Sequence, residues 1–214
     1  MEIYKYESNL LSSNMYIIQQ DGHAIIIDPF EDLKNDGKKI IDKIILTHEH
    51  FDHISGVNYW KTISGAPVLC SKKCAELIID SSKNMAKYFR SFCKYQTWIQ
   101  IDEIPEFDKD YVCSADEVFE DNFEFQWEGH KISLFELPGH SIGSIGILID
   151  DTHFFSGDSL IEGVDHESNI PVGSIESWIK ISKPRLQSLP DGIMVHPGHF
   201  REFLYKSEYI NILT

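Results

Sequence analysis

The stretch Ile44-Ile45-Leu46-Thr47-His48-Glu49-His50-Phe51-Asp52-His53 decides how this chain is interpreted. A short apolar run leads into the pattern H-x-H-x-D-H, in which the His and Asp positions carry side chains that bind metal ions. The end of a buried strand is a rigid platform, and the loop after it can turn several side chains toward one centre. The pattern therefore predicts a metal site, and the alternative interpretation is a solvated, histidine-rich turn.

Three further segments repeat the arrangement of an apolar strand, a glycine and a metal-binding side chain. Residues 134–137 are followed by Pro138-Gly139-His140, residues 154–156 by Gly157-Asp158, and residues 193–195 by His196-Pro197-Gly198-His199. Glycine lets the backbone pass close to a crowded site at little steric cost. Four strand ends that each deliver ligands are much rarer by chance than one motif, so the metal site is favoured over the solvated turn.

The number and type of these side chains suit two metal ions. Three His with a shared Asp can fill one site, and one Asp and two His with the same shared Asp can fill the other. Imidazole and carboxylate without thiolate favour Zn²⁺, with Fe or Mn as alternatives. Two ions about 3.5–4 Å apart can hold a bridging hydroxide, and coordination lowers the pKa of bound water toward about 7, so a nucleophile exists at neutral pH.

The whole pattern resembles the metallo-β-lactamase fold superfamily, whose sequences carry H-x-H-x-D-H and then a later His, Asp and His. The resemblance runs from about Asn14 to His199. It implies an α/β fold, namely an αβ/βα four-layer sandwich in which two mixed β-sheets pack face to face with helices outside. Carried over by position, it also implies the ligands: His48, His50 and His140 for the first metal, Asp52, His53 and His199 for the second, and Asp158 as the bridging carboxylate.

Within that superfamily the chain is most similar to the glyoxalase II-like group. The supporting features are softer than the ligands: Asn14, Ile27-Asp28-Pro29, Asn84 and residues 188–191. Glyoxalase II proper adds a C-terminal helical domain whose basic residues hold glutathione. Only 15 residues follow His199 here, with Arg201 and Lys206 as the basic ones, so we expect one domain over residues 1–214 and no separate C-terminal glutathione-binding domain.

Composition limits the classes of partner. The formal net charge of −15 argues against nucleic acid, because phosphates need Lys and Arg to neutralise them. The sequence has no run of 18 apolar residues and no basic segment before an apolar core at its start, so we expect neither a membrane span nor a signal peptide. We expect a cytoplasmic protein with a small-molecule substrate, and the oligomeric state stays open, a homodimer included.

The apolar runs and turn residues predict the remaining elements. Strands are expected at 15–18, 24–27, 40–46, 67–70, 123–127, 132–137, 145–149, 153–156 and 193–195. Helices are expected at 54–63, at 71–93 with a break near Ser81, at 174–189 and at 201–213. Residues 100–122 are expected to form an irregular acidic surface segment.

Other residues look functional but favour a structural interpretation. Gly157-Asp158-Ser159-Leu160 spells a label used for serine esterases, yet no D-x-x-H follows it, so we expect a structural role for Ser159 beside the metals. His196 is expected to pack or to orient a ligand. The remaining candidates are expected to be solvated turn residues (His23, His130, His153), helical core aromatics with a pocket wall as the alternative (Tyr88, Phe89, Phe92), and reduced packing cysteines (Cys70, Cys74, Cys93, Cys113).

The leading functional hypothesis is a dinuclear metal-dependent hydrolase in which a metal-bridging hydroxide attacks an ester, thioester or lactone carbonyl. Its catalytic residues are expected to be Asp52 and Asp158, with His166 on the loop after Asp158 as a substrate contact. The resemblance leaves two alternatives of the same fold: a mononuclear-iron persulfide dioxygenase with iron at His48, His140 and Asp158, and a phosphodiesterase. A non-catalytic metal-stabilised protein is disfavoured, because structural zinc sites usually have four protein ligands and often Cys.

Overall fold

The computed structural model describes residues 1–31, 39–95, 105–164 and 173–212, and over them the chain forms two six-stranded sheets. The strands of the first sheet, in their spatial order, are β1 (Glu2–Glu7), β2 (Asn14–Gln20), β3 (His23–Ile27), β4 (Ile40–Ile45), β5 (Val68–Ser71) and β6 (Glu117–Phe119). Those of the second are β12 (Phe203–Leu204), β11 (Met194–Pro197), β10 (His153–Gly157), β9 (Ile145–Ile149), β8 (His130–Glu136) and β7 (Asn122–Trp127).

Both sheets are mixed. In the first sheet β1, β2 and β3 are antiparallel neighbours, whereas β3 to β6 run parallel. In the second sheet β7 to β10 are antiparallel, β10 and β11 are parallel, and β12 closes the edge antiparallel to β11. Parallel neighbours point the same way, so β3, β4 and β5 end at one edge of the first sheet.

Helices lie outside the two sheets. Those of the first half are α1 (Phe51–Ile54), α2 (Val57–Ser64), α3 (Lys72–Leu77) and α4 (Phe89–Tyr95), with a 3₁₀ turn at Ala86–Tyr88. Those of the second half are α5 (Ile175–Ser177), α6 (Lys183–Gln187) and α7 (Glu208–Ile212), with a π-turn at Trp178–Ser182 that joins α5 to α6.

Three buried layers hold this arrangement together. Successive strand residues face opposite sides of a sheet, and in β3 the odd-numbered Ile25 and Ile27 pack between the sheets while Ala24 and Ile26 pack under the outer helices. The central layer joins the two sheets, for example through Tyr16 and Phe155, whose ring centroids lie 5.1 Å apart. The predicted four-layer αβ/βα sandwich is therefore confirmed.

The predicted elements differ from the structure mainly at edges and helix ends. Strands β1, β6 and β12 were not predicted, because they are short or half-exposed and carry no apolar run. The helix expected at 54–63 is two helices, α1 from Phe51 and α2 from Val57. Gly56 lies between them, where a Cβ would lie 2.5 Å from the backbone of Phe30. The closing helix expected from residue 201 begins only at Glu208, after β12.

Candidate metal centre

Seven predicted site residues meet where four strands end. His48, His50, Asp52 and His53 follow β4, His140 follows β8, Asp158 directly follows β10, and His199 follows β11. Phe51 to Ile54 form α1, so Asp52 lies in the first turn of a helix. The two sheets thus deliver the side chains from both sides of the sandwich to one edge.

His48, His50 and His140 form the first cluster, with one ring nitrogen of each within 4.8 Å of the others. Nε2 of His140 lies 2.9 Å from Nδ1 of His50. Nε2 of His48 is buried and has no hydrogen-bond partner among the described residues. Burial lowers the pKa of His48 well below its usual value and that of His140 to about 3, so both imidazoles are neutral and offer lone pairs.

Asp52, His53 and His199 form the second cluster. Nε2 of His53 lies 3.3 Å from Nε2 of His199, which in turn lies 3.4 Å from Oδ2 of Asp52. Burial alone would lower the pKa of His53, but the carboxylates of Asp52 and Asp158 raise it to about 9. The same contacts hold the pKa of Asp52 below its usual value, although burial opposes this. The positive charge on His53 and the negative charge on Asp52 therefore stabilise each other.

Asp158 lies between the two clusters. Its Oδ1 is 3.5 Å from Nε2 of His53, and its Oδ2 is 3.5 Å from Nε2 of His140 and 3.4 Å from Nε2 of His199. Burial would raise its pKa, but the imidazoles of His199, His53 and His140 hold the pKa well below its usual range. An ionised carboxylate therefore touches both clusters.

A divalent cation suits these residues by its chemistry. The donors are imidazole nitrogens and carboxylate oxygens, which bind Zn²⁺, Fe²⁺ or Mn²⁺. Nε2 of His48 and Oδ1 of Asp158 are buried and have no hydrogen-bond partner among the described residues, and a buried polar atom without a hydrogen bond destabilises the fold. A cation would coordinate both atoms. Its positive charge would also take the place of the protonated imidazoles that now neutralise the carboxylates.

Asp28 holds His53 and Thr47 from behind the clusters, a role that the sequence did not reveal. Its Oδ1 accepts a hydrogen bond from the backbone N–H of Thr47 at 2.7 Å, and its Oδ2 accepts from the Thr47 hydroxyl at 2.6 Å and from Nδ1 of His53 at 3.0 Å. Asp28 also lies within metal-binding reach of His48 and His53, but its oxygens already accept these three bonds, so it is an orienting residue. The signal in the sequence was a carboxylate directly after the apolar run of β3.

Glu49, between the first two histidines, faces away from the other side chains of the motif. It is fully buried, and its Oε2 accepts a hydrogen bond of 2.8 Å from the hydroxyl of Ser141, the residue after His140. A Cβ at Gly143 would lie 2.4 Å from the same oxygen, so glycine is needed there. Glu49 thus ties the motif loop to the loop that carries His140.

The remaining predictions have mixed outcomes. Ser159 is buried, and its hydroxyl faces the carbonyl of Leu137, as a structural role requires. Phe89 is a core aromatic packed on Phe51, whereas Tyr88 is half-exposed. The four cysteines are buried and unbridged, as expected. His166 and the side chain of Phe92 lie outside the described residues.

The expectation that three histidines lie in solvated turns is wrong. His23, His130 and His153 are each the first residue of a strand, and each has a hydrogen-bonded partner: Asp42 at 2.9 Å, Asp150 at 2.5 Å and His196 at 3.0 Å. Hairpin turns end directly before these residues, and each ring is hydrogen-bonded to a residue of another segment. Within the described ranges, none of these histidines belongs to a group of three that could bind one metal ion.

Across the described parts of the chain, none of the helices combines the length and the apolar character that crossing a bilayer requires.

Comparison with known proteins bears on the same residues. A model of the metallo-beta-lactamase superfamily matches residues 8–199, which include all seven clustered side chains. A probable metallo-hydrolase of Streptococcus pyogenes is 26% identical over 211 residues, covering 93% of this chain and 84% of that protein. The hydroxyacylglutathione hydrolase GloC of Haemophilus influenzae is 25% identical over 195 residues, covering 86% and 82%. The crystal structure of the BLEG-1 B3 metallo-beta-lactamase has a TM-score of 0.81 and 21% identity, with 100% of both chains covered, and so shares the fold.

Proposed function

The chain belongs to the metallo-beta-lactamase superfamily, and from that premise we propose that it is a dinuclear metal-dependent hydrolase of small esters, thioesters or lactones. One observation carries the proposal: Asp158 touches both clusters, with Oδ1 toward His53 and Oδ2 toward His140 and His199. A carboxylate in that place is suited to join two cations, whereas a single-ion site needs no such connection.

The ligand assignment follows the two clusters. His48, His50 and His140 would hold one ion, and Asp52, His53 and His199 the other, with Asp158 shared. When bound, two divalent ions supply a deprotonated water at neutral pH and polarise the electrophilic oxygen of the substrate. The protein contributes neutral imidazoles at His48 and His140 and ionised carboxylates at Asp52 and Asp158. Burial and the contacts of Asp28 and Glu49 fix this part of the protein.

The proposed substrate class rests on the centre and on one relative. The seven clustered residues include no Ser, Cys or Lys, so attack by water without a covalent intermediate is the simplest chemistry. The relative from Haemophilus influenzae is named as a hydroxyacylglutathione hydrolase, whose name describes hydrolysis of a thioester, and it covers 86% of this chain. A carbonyl substrate without a phosphate backbone also suits the net charge of −15.

The test combines metal analysis with a substrate panel. We expect two divalent ions per chain in protein grown without added metal, turnover of at least one ester, thioester or lactone, and loss of turnover after chelation with recovery on adding Zn²⁺. One iron per chain together with oxygen consumption on a persulfide would contradict the hydrolase, and turnover of phosphodiesters alone would reassign the substrate class.

The bridging role of Asp158 has its own variant. Asp158→Ala should lower metal content to one ion or fewer per chain and lower kcat/KM by at least about 10³-fold, since it removes a charge shared by both sites. Asp110→Ala, which removes a carboxylate that is 65% exposed and far from the motif in sequence, is the control and should change neither. Full occupancy by two ions in Asp158→Ala would show that the carboxylate does not bridge.

A further inference from the structure

The loop that carries His199 is closed at its base by a hydrogen bond outside the metal centre. His196 and Glu202 flank the five residues 197–201, and Nδ1 of His196 lies 2.5 Å from Oε1 of Glu202. His199 lies in the middle of this loop. The contact joins two residues six positions apart, so it fixes the span that the loop must cross.

His196 is itself held in one orientation. Its ring is buried, stacks on Phe155 with centroids 4.5 Å apart, and meets the edge of Tyr16 at 5.4 Å. Its second nitrogen, Nε2, lies 3.0 Å from Nδ1 of His153. A neutral imidazole has one N–H, so Nδ1–H of His196 donates to the Glu202 carboxylate and Nε2 accepts from His153. Both ring nitrogens are thus occupied, and the ring cannot flip.

The tip of the loop is attached to the first sheet. The amide of Asn14 donates to the carbonyls of Pro197 at 2.9 Å and Phe200 at 3.0 Å, and the Tyr16 hydroxyl donates to the carbonyl of Pro197 at 2.8 Å. Nδ1 of His199 lies 3.2 Å from the carbonyl of Ser12, which leaves Nε2 to face the second cluster. The base contact on the second sheet and the tip contacts on the first therefore fix His199 from two sides.

We propose that Glu202, acting through His196, is a positioning residue that sets the affinity of the Asp52–His53–His199 cluster for its cation. The inference rests on the two-metal centre proposed above. Glu202 is bonded to His196 at the base of the loop that carries His199, and it has no contact with the first cluster among the described residues. Because His199 belongs to the second cluster, the effect of Glu202 should fall on one ion of the two. Partners that orient ligands typically account for 10–100-fold in metal affinity, and we expect the lower end because Glu202 acts one step removed.

The experiment measures metal binding without substrate. The full chain is stripped with a chelator and titrated with Co²⁺, whose visible absorption reports each site, and then with Zn²⁺ against a competing chelator. Glu202→Ala should weaken one of two binding steps by about tenfold and leave the other within about twofold. Glu202→Gln keeps an acceptor oxygen for His196 and should restore most of the affinity. Glu208→Ala removes an exposed carboxylate six residues farther on and should change neither step.

A double mutant tests whether Glu202 acts through His196. In a His196→Gln background, adding Glu202→Ala should weaken the affected step by less than about twofold, since coupled residues are not additive. Equal weakening of both steps in Glu202→Ala without recovery in Glu202→Gln would overturn the inference, and so would two unchanged steps. A wild-type chain that binds no Co²⁺ or Zn²⁺ would contradict the proposed function itself, and the inference with it.

Discussion

Oδ2 of Asp28 lies 3.0 Å from Nδ1 of His53, although the two residues are 25 positions apart in the chain. The same carboxylate accepts two bonds from Thr47, whose hydroxyl lies 3.0 Å from Nδ1 of His48. Asp28 has φ of +51°, a left-handed conformation that non-glycine residues seldom adopt and that surrounding contacts must hold. One buried carboxylate at the end of β3 therefore orients a histidine of each cluster, His48 through Thr47 and His53 directly.

Asp28→Ala should impair both metal binding and folding. Without the carboxylate, Nδ1 of His53 and the backbone N–H of Thr47 lose their acceptor, which costs about 2–4 kcal/mol in the free energy of unfolding. Metal affinity should fall by 10–100-fold, since the imidazoles are no longer held in one orientation. Denaturant unfolding of the metal-free chain and competition titration with Zn²⁺ measure the two effects separately.

Asp42→Ala is a matched control for that variant. Asp42 accepts hydrogen bonds from His23 at 2.9 Å and from the indole of Trp127 at 2.8 Å, in a partly buried Asp–His pair that touches no clustered residue among the described contacts. It should lower stability and leave metal affinity unchanged. If both variants lose metal alike, the effect of Asp28 is loss of fold rather than ligand orientation.

Gly198→Ala should disrupt the second cluster by steric conflict. A Cβ at this position would lie 2.1 Å from Oδ1 of Asp158 and 2.8 Å from Cε1 of His53, so either the carboxylate or the loop must move. We expect one of the two ions to be lost, as measured by metal analysis after dialysis.

Gly192→Ala is the control. Gly192 has φ of +89° and open space around it, so the variant should lose about 1 kcal/mol of stability and keep both ions. Retention of two ions in Gly198→Ala would contradict this account of the loop.

The side chains of the two clusters could be picked out from the sequence because their signal is local. Each is a polar side chain within a few residues of the end of an apolar strand, and glycines beside His140, Asp158 and His199 mark where backbone approaches a crowded centre. The inner strands could be predicted for the same reason, since β3 and β9 are apolar on both faces. The two clusters were separable only through the family resemblance, because spacing alone does not show which histidine faces which partner.

The supporting contacts could not be predicted because their partners are distant in sequence. His153 and His196 are 43 positions apart, and only the parallel pairing of β10 with β11 brings them together. Ser141 and Glu49 are 92 positions apart and lie in loops that follow strands of different sheets. Edge strands such as β1 also gave no signal, because an exposed strand needs no apolar run.

Ser159→Ala should leave hydrolysis nearly unchanged, despite the esterase-like sequence around it. The side chain is buried, and its hydroxyl makes one long hydrogen bond of 3.3 Å to the carbonyl of Leu137. Loss of such a bond costs about 1 kcal/mol of stability or less, and kcat/KM should stay within about threefold of wild type. Labelling of the wild type by a fluorophosphonate at Ser159, with loss of turnover, would contradict the assignment of water as the nucleophile.

Acid should destabilise the metal-free chain through His196. Burial lowers the pKa of this histidine to about 4 against the opposing effect of the Glu202 carboxylate, while the usual value is 6.5. Between these two values the unfolded chain binds more protons than the folded one, so the free energy of unfolding falls as pH drops from 6.5 toward 4 and is insensitive to this group above 6.5. The expected loss is about 3 kcal/mol, taken from the difference in pKa.

The measurement is urea unfolding of the chelator-treated chain at several pH values, compared with His196→Phe. The groups that face this ring are Tyr16 from β2, His153 from β10 and Glu202, and the phenyl ring keeps the stacking on Phe155 but cannot bind a proton. The difference in stability between wild type and variant should shrink on acidification. His23→Phe is the control with the opposite sign, because the Asp42 carboxylate raises the pKa of His23 and its contribution is lost as pH rises instead. A wild-type advantage over His196→Phe that stays constant from pH 7 to pH 4 would show that His196 is protonated as readily in the folded chain as in the unfolded one.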